Sequence, residues 1–405
     1  YALGRGHLVL GELDAARARL EEAWDRGLRT PDVAYALGVT LAHLYERERR
    51  GFTSAPTRAE REKRKAAIDA TLRDPALGFL AKARGARMDV PAYAEALMAE
   101  LQDDLDRAIA LAGSAAETAP WLYEARTLLG RAYRRRGLER LESGRDAEAL
   151  ADLDAAEAAY RAAVDVARSD PKAREGLCSV FRDRIDAAQI RRRPVAEEFE
   201  EAAEWCGSAV AADPENALSL LRASDVEWQW GLELVAEGKD PRPRFLRAVE
   251  LAERTIPSRF DVAYALDNVG IARVNQAQWE ADHGIDARAS FDRAEEAFRR
   301  CAREFPNLFS VHCNLAETLV ARARTERAAG RDPTALLGEA RGSLERGAAV
   351  SGHFCVDLNR LLVEEEAARW ALLTGEDPAP QAAAAVRLLA ALRAKNPGAV
   401  EGLLA

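Results

Sequence analysis

The tetrapeptide Gly330-Arg331-Asp332-Pro333 decides the fold of this chain, because close copies of it recur along the sequence. A glycine placed just after a helix adopts the left-handed conformation that ends the helix. The aspartate two residues later accepts hydrogen bonds from the first amides of the next helix, and proline suits a first helical position. The other copies are Gly144-Arg145-Asp146-Ala147, Gly238-Lys239-Asp240-Pro241, Gly284-Ile285-Asp286-Ala287 and Gly375-Glu376-Asp377-Pro378.

The spacing of these turns is nearly constant. From Gly238 the steps are 46, 46 and 45 residues, and the gap from Gly144 to Gly238 is 94 residues, or two steps of 47. A degenerate copy is therefore expected near Arg191-Arg192-Arg193-Pro194. A fixed period of this length is typical of an all-α solenoid, in which each helical hairpin contacts only its neighbours. This architecture favours a binding function over a catalytic one.

The first part of the chain follows a shorter period. Tyr1-Ala2-Leu3-Gly4 returns 34 residues later as Tyr35-Ala36-Leu37-Gly38. The second helices of the hairpins repeat a small-large-small pattern, which lets neighbouring helices approach closely. This pattern is seen at Ala156, Tyr160 and Ala163, and again at Ala294, Phe298 and Cys301.

On these residues the chain resembles a tetratricopeptide repeat (TPR) array. The resemblance implies a right-handed superhelix whose first helices line a concave groove and whose second helices lie on the convex side. Residues 1–120 are predicted to form N-terminal TPR units, the second with a long charged insertion at about residues 47–70. Residues 121–405 are predicted to form extended units of about 43–49 residues. A HEAT-like array is the alternative, since its period also lies in the mid-forties.

The composition argues against several classes of partner. A formal net charge of -9 disfavours nucleic acid, because neutralising phosphates takes a concentrated basic surface. No run of about 18 apolar residues predicts a membrane span. The five cysteines are scattered without a pairing pattern, which favours a reducing cytoplasm. The chain also begins within a helical pattern without a methionine, so we expect it to be part of a longer protein.

The sequence offers no constellation for catalysis or for a metal. His312 and Cys313, like His353 and Cys355, are one or two residues apart, so their side chains point in different directions from a helix. We interpret them as packed histidines and buried cysteines. An all-helical toroid hydrolase is a minor alternative, which would need paired carboxylates in an aromatic-lined cleft, and aromatic residues make up only 6%. We therefore predict no catalytic residue, cofactor or metal in this chain.

Three further features resemble the C-terminal region of bacterial serine/threonine protein kinases that carry TPR arrays. They are the segment RTPDVAYALG at 29–38, the junction APWLYEA at 119–125, and the long units with Gly-x-Asp-Pro turns. The resemblance implies an interaction or regulatory segment, since the chain holds no glycine-rich loop, His-Arg-Asp or Asp-Phe-Gly signature. A free-standing TPR or HEAT-like adaptor would have a similar sequence. Either way, the predicted partner is a protein or peptide, with no nucleic acid or membrane.

Three asparagines are the first candidates for contact with that partner. Asn268, Asn314 and Asn359 each lie 16 residues before a turn glycine, so they occupy the same place on successive first helices. In peptide-clamping TPR relatives an asparagine there holds a ligand's backbone or carboxylate, which implies a ladder for an extended peptide. The pattern departs at Arg360-Leu361, just after Asn359. The alternative is that these amides bond the neighbouring repeat, as buried amides usually do.

Arginine and tryptophan supply the remaining candidates. Arg131, Arg134 and Arg135 fall on first-helix positions that often face the groove, and they would suit an acidic segment. Trp228 belongs to Trp228-Gln229-Trp230, the densest aromatic spot in the chain. Two rings two residues apart cannot share one helix face, so Trp228 is a candidate groove anchor, with core packing as its alternative.

Overall fold

A computed structural model describes residues 1–50, 58–83, 85–86, 90–190 and 195–395. Within those residues the regular elements are helices and no strand occurs, so the all-α prediction is confirmed. None of the described helices combines the length and apolar character that a bilayer-spanning segment needs. The chain forms two compact units, the first ending at Ala223 and the second beginning at Ser224.

The first unit is built from helical hairpins joined by short turns. The helix Pro31–Arg50, before residue 120, has 20 residues, as many as Tyr123–Glu142 and Pro171–Ile190 after it, so long helices are not confined to the extended units. The helices are α1 (Ala2–Val9), α2 (Leu13–Asp25), α3 (Pro31–Arg50), α4 (Arg58–Ile68), α5 (Asp74–Lys82), α6 (Pro91–Leu101), α7 (Leu105–Thr118), α8 (Tyr123–Glu142), α9 (Asp146–Val166), α10 (Pro171–Ile190), α11 (Ala196–Ala212) and the start of α12 (Ala217–Ala236).

The second unit continues the same plan, with helices of 14 to 21 residues. A short 3-10 turn, Ile256–Ser258, contains Pro257. The helices after α12 are α13 (Arg242–Thr255), α14 (Val262–Asp282), α15 (Arg288–Glu304), α16 (Phe309–Ala328), α17 (Thr334–Val350), α18 (Phe354–Thr374) and α19 (Ala379–Lys395).

The recurring turn has the conformation that its residues predict. Gly330 has a φ of 71°, in the left-handed region that ends a helix. Asp332 Oδ1 accepts a hydrogen bond from the Thr334 amide at 2.8 Å. Pro333 lies just before the helix and not at its first position, because α17 begins at Thr334. The same aspartate-to-amide bond recurs at Asp240, Asp286 and Asp377, while the expected copy near Arg191–Pro194 lies outside the described residues.

Glycines in the first helices allow the second helices to pack closely. A Cβ added at Gly4 would lie 2.6 Å from the Leu20 side chain, closer than real atoms approach. The same large-on-small contact joins Gly130 to Tyr160 within the α8–α9 hairpin. It recurs between Gly38 and Leu80 and between Gly270 and Phe298. These contacts are the packing that the TPR-like pattern of small and large residues predicts.

First helices of successive hairpins pack on one another within each unit. In the first unit α3 contacts α6, α6 contacts α8, and α8 contacts α10. In the second unit α14 contacts α16, and α16 contacts α18. The second helices α15 and α17 pack on the first helix that follows each of them. Each hairpin thus buries its apolar side against its neighbours, as a solenoid requires.

The charged insertion predicted at about 47–70 is helical over its described residues. α3 continues to Arg50 and α4 begins at Arg58, with residues 51–57 outside the described range. A single π-helical turn, Asp69–Arg73, leads into α5. The Tyr45 hydroxyl donates to Asp69 Oδ1 at 2.8 Å, which ties this turn to α3. The proposed boundary at residue 120 stays a prediction.

Four of the five cysteines are paired, which corrects the expectation of scattered free thiols. Cys178 and Cys206 form a disulfide within the α10–α11 hairpin, with Cα atoms 4.7 Å apart. Cys313 and Cys355 form a second disulfide between the first helices α16 and α18, with Cα atoms 6.2 Å apart. The buried Cys301 is free. The 42-residue separation of the second pair is close to one repeat, a signal that the sequence reasoning missed.

Candidate partner-binding face

The first helices α14 and α16 leave one narrow side accessible. On α16 this side carries Ser310, Asn314, Glu317 and Arg324. On α14 the equivalent positions, 46 residues earlier, are Tyr264, Ile271 and Gln278, with Asp267 between the first two. These eight residues are called the first-helix stripe below. The stripe is mostly polar, although the helices beneath it are packed with apolar side chains.

Asn268 lies beneath the first-helix stripe and not on it. Its side chain is 1% exposed, and Nδ2 donates to Asp225 Oδ1 at 2.8 Å and to Ser224 Oγ at 3.3 Å. The Tyr264 hydroxyl donates to the same Asp225 oxygen at 2.8 Å. Both acceptor residues belong to α12, so the amide links α14 to the preceding first helix. This geometry is the internal bonding that was the alternative to ligand contact.

Asn314 is half-buried within the stripe. Its Nδ2 donates to Asp267 Oδ1 at 2.6 Å, which joins α16 to α14. Burial raises the pKa of Asp267 to about 6, the Asn314 amide opposes that rise, and the charges of Asp225 and Asp261 add to it. The carboxylate of Asp267 is thus held where its charged form is disfavoured.

Asn359 occupies the third place of the series. It is 3% exposed, and its Nδ2 donates to the Cys313 carbonyl at 3.4 Å. All three asparagines therefore bond the preceding first helix. Contact with a peptide stays a prediction, for which Asn314 is the accessible member of the three.

Glu317 presents an uncompensated carboxylate on the stripe. Its side chain is exposed, yet desolvation by the surrounding helices raises its pKa, and the charge of Arg324 only partly opposes that rise. Among the described residues it has no hydrogen-bond or ion-pair partner. A carboxylate in such surroundings is stabilised by an added cation.

Trp228 is half-buried on α12 and packs on the apolar cluster that contains Phe245 and Val249. Its indole Nε1 is buried, and no described residue accepts a hydrogen bond from it. Trp230 lies on another side of the helix, where the Arg244 guanidinium sits 3.4 Å from its ring centroid. Trp228 is therefore part of the packed core of the second unit. Its role as a groove anchor stays a prediction.

The three predicted arginines are committed to ion pairs between neighbouring hairpins. Burial alone would raise the pKa of Asp183, but Arg134 and Arg182 hold that pKa below its ordinary value. Guanidinium groups that already neutralise such carboxylates have little to offer an acidic ligand. The pairs, each 2.5–2.6 Å long, are Arg131 with Glu100, Arg134 with Asp183, and Arg135 with Asp103.

The histidine and cysteine pairs do not converge on a metal. Cys313 and Cys355, which were interpreted as buried cysteines, are bonded to each other in a disulfide that the sequence analysis did not predict. His312 is 2% exposed, with Nε2 3.0 Å from the Pro306 carbonyl oxygen. In the part of the chain that the structure describes, no three His, Cys, Asp or Glu side chains are grouped as metal ligands.

Comparison with known proteins finds similar folds at low identity. No protein-family model and no curated protein sequence matches this chain. Among solved structures, a tetratricopeptide repeat protein from Parabacteroides merdae has a TM-score of 0.44 and 13% identity over 77% of this chain and 96% of its own. PilF of Pseudomonas aeruginosa gives 0.39 and 19%, over 66% and 92%. Human IFIT1, solved as a dimer with m7Gppp-AAAA, gives 0.41 and 14%, over 84% and 68%. At these scores the similarities carry no inference about a partner.

Proposed function

We propose that this chain is a non-catalytic protein-interaction scaffold that binds an extended peptide segment of a partner along the first-helix stripe. The observation that carries the proposal is the state of Glu317, which is accessible, desolvated and without a polar partner among the described residues. Its neighbours on the stripe, Ser310, Asn314 and Gln278, supply donors and acceptors for a peptide backbone. Main-chain hydrogen bonds of this kind bind an extended segment without demanding its sequence.

The charge of the stripe favours a peptide that carries a cationic side chain. Glu317 and Asp267 both have raised pKa values, so a lysine or arginine placed beside them would relieve an existing cost. The acidic segment expected from the sequence depended on Arg131, Arg134 and Arg135, which are engaged in ion pairs. We therefore propose an extended peptide that is cationic, whereas the sequence led us to expect an acidic one.

Two finer points complete the proposal. The resemblance to kinase C-terminal regions suggests that the scaffold serves a bacterial serine/threonine protein kinase, an idea that rests on the sequence features named above. The two disulfides favour an oxidising compartment in place of the cytoplasm expected from the cysteine count.

The proposal is tested with dodecapeptides selected from a phage-displayed library against the full chain. Their Kd is then measured by fluorescence anisotropy for the unchanged protein and for Glu317→Lys. We expect Glu317→Lys to weaken binding by about tenfold or more, because it replaces an attraction with a repulsion. Selected peptides should also be enriched in lysine and arginine.

Glu296→Lys is the matched control. Glu296 is exposed on the second helix α15, away from the stripe, and its replacement by lysine changes the charge by the same amount. It should leave the Kd unchanged. Peptides that respond equally to both substitutions would show a general charge effect and would contradict binding at the stripe. Circular dichroism of each variant confirms that the helices are retained.

A further inference from the structure

A cleft of about 380 Å³ opens between α17, α18 and α19, away from the first-helix stripe. It is the junction of the last two hairpins that the structure describes. Three guanidinium groups, two carboxylates and two apolar side chains line it: Arg341, Glu345, Arg360, Glu364, Ala384, Arg387 and Leu388.

One position that lines the cleft departs from the repeat. Val269 on α14 and Leu315 on α16 occupy equivalent places, 46 residues apart, and both are buried. The next equivalent, 45 residues on, is Arg360, which is half-buried. A guanidinium cannot be enclosed as a leucine is without losing its hydration, so Arg360 lines the cleft where the preceding repeats bury an apolar side chain. The residue at which the sequence pattern departs is thus one of those that line the cleft.

The positive charge of the cleft is not fully neutralised. Arg341 forms two hydrogen bonds to Glu364, at 2.8 and 3.2 Å, and these two charges cancel. Lys395 Nζ donates a hydrogen bond to Asp357 Oδ2 at 2.6 Å, and the other oxygen of Asp357, Oδ1, lies 3.6 Å from the Arg360 guanidinium. Asp357 is therefore shared, and Arg360 is left without a short hydrogen bond.

Arg387 is exposed on α19 and, like Arg360, is not neutralised by a close carboxylate of the described residues. Among the described residues it has no hydrogen-bond or ion-pair partner. Glu345 is exposed at the rim, so the cleft carries a net positive charge close to one. Leu388 and Ala384 on α19 add an apolar wall beside the two guanidinium groups.

The geometry points to a binding site for an aliphatic carboxylate, held by Arg360 and Arg387 with its apolar part against Leu388. A single net positive charge matches a monoanion, and guanidinium forks bind carboxylates with two hydrogen bonds. The apolar wall selects an anion that carries an aliphatic group over a bare inorganic anion. The ligand is a free aliphatic acid or a glutamate flanked by leucines in a peptide, which share this chemistry.

The test is isothermal titration calorimetry of the full chain with three probes at roughly millimolar concentration, where a single charged contact is detectable. The probes are acetyl-Leu-Glu-Leu-amide, the same peptide with Gln in place of Glu, and 4-methylpentanoate. We expect the Glu peptide to bind and its Gln counterpart not to bind. Binding of 4-methylpentanoate as tightly as the peptide would identify a free acid as the ligand, whereas a clear advantage of the peptide would identify a protein segment.

Three variants make the result specific. Arg387→Gln should weaken binding by about tenfold or more, since it removes a charge-assisted hydrogen bond. Arg346→Gln is the control, because Arg346 is exposed on α17 but does not line the cleft. Arg360→Leu should abolish binding and raise the Tm, because it restores the apolar residue found in the two preceding repeats.

Either of two results would overturn the assignment. One is binding by Arg387→Gln that equals that of Arg346→Gln. The other is displacement of the peptide by inorganic phosphate at equal concentration, which would show that the apolar wall contributes nothing. These outcomes are independent of peptide capture at the first-helix stripe, because no residue is shared between the two sites.

Discussion

Replacement of Asn268 by alanine distinguishes a structural amide from a ligand-binding one. Asn268 donates to the buried carboxylate of Asp225 at 2.8 Å, and a hydrogen bond to a charged group contributes about 1.5–3 kcal/mol. The weaker bond to Ser224, at 3.3 Å, adds little. Alanine recovers about half a kcal/mol through its higher helix propensity. We therefore expect Asn268→Ala to lower the free energy of unfolding by about 2 kcal/mol.

The same helix offers a matched control. Asn275 is half-buried on α14, and its Nδ2 donates at 2.8 Å to the Ile271 carbonyl of its own helix. Loss of that neutral bond costs about 1 kcal/mol, and the gain in helix propensity offsets about half of it. Asn275→Ala should therefore change the free energy of unfolding by much less than Asn268→Ala does.

Urea unfolding followed by circular dichroism measures both variants, and native-state hydrogen exchange locates the loss of stability. Exchange should accelerate in α12 and α14 for Asn268→Ala, because the lost bonds join those two helices. Equal urea midpoints for the two variants would refute the structural role of Asn268. If Asn268→Ala also lost the selected peptides while keeping its stability, the ligand ladder predicted from the sequence would be restored.

Two further predictions concern pH and redox state. The pKa of Asp267 is raised in the folded protein to about 6, above its ordinary 3.8, so the protein loses stability as pH rises from about 4 to 6, by at most about 3 kcal/mol. Asp267→Asn should remove that dependence and be more stable than the unchanged protein at pH 7.5, as measured by urea unfolding at both ends of the range; an unaltered pH profile would contradict it. Cys355→Ser opens a 42-residue loop and should cost about 4 kcal/mol, whereas reductant should destabilise the unchanged protein by more, because it also breaks the Cys178–Cys206 disulfide. Alkylation of the denatured, unreduced protein should label Cys301 alone, and labelling of all five cysteines would show that the disulfides do not form.

The turns and the hairpin packing were predictable because their signals are local or strictly periodic. Gly330 and Asp332 act within a few residues, and the contact of Gly130 with Tyr160 lies inside one hairpin. Sequence spacing was enough to place both features. The repeat therefore carries most of the information about the fold.

The state of the candidate site was not predictable in the same way. Spacing placed Asn268 and Asn314 correctly on their helices, but it did not reveal that Asp225 and Asp267 of the preceding helices would accept their amides. Arg134 likewise meets Asp183, 49 residues away in sequence, through the register of two hairpins. The pairing of Cys313 with Cys355 depends on that same register. Such partners are fixed by how neighbouring repeats align, which the composition of a single repeat does not contain.

The disulfide between α16 and α18 has a mechanical consequence. Because each hairpin contacts only its neighbours, bending the array changes the separation of successive first helices at each junction. The covalent link fixes the α16–α18 junction, whereas hydrogen bonds such as that of Asn314 to Asp267 hold the α14–α16 junction. Under load the α14–α16 junction should therefore open more readily than the α16–α18 junction, and a peptide bound along the proposed first-helix stripe would oppose that opening.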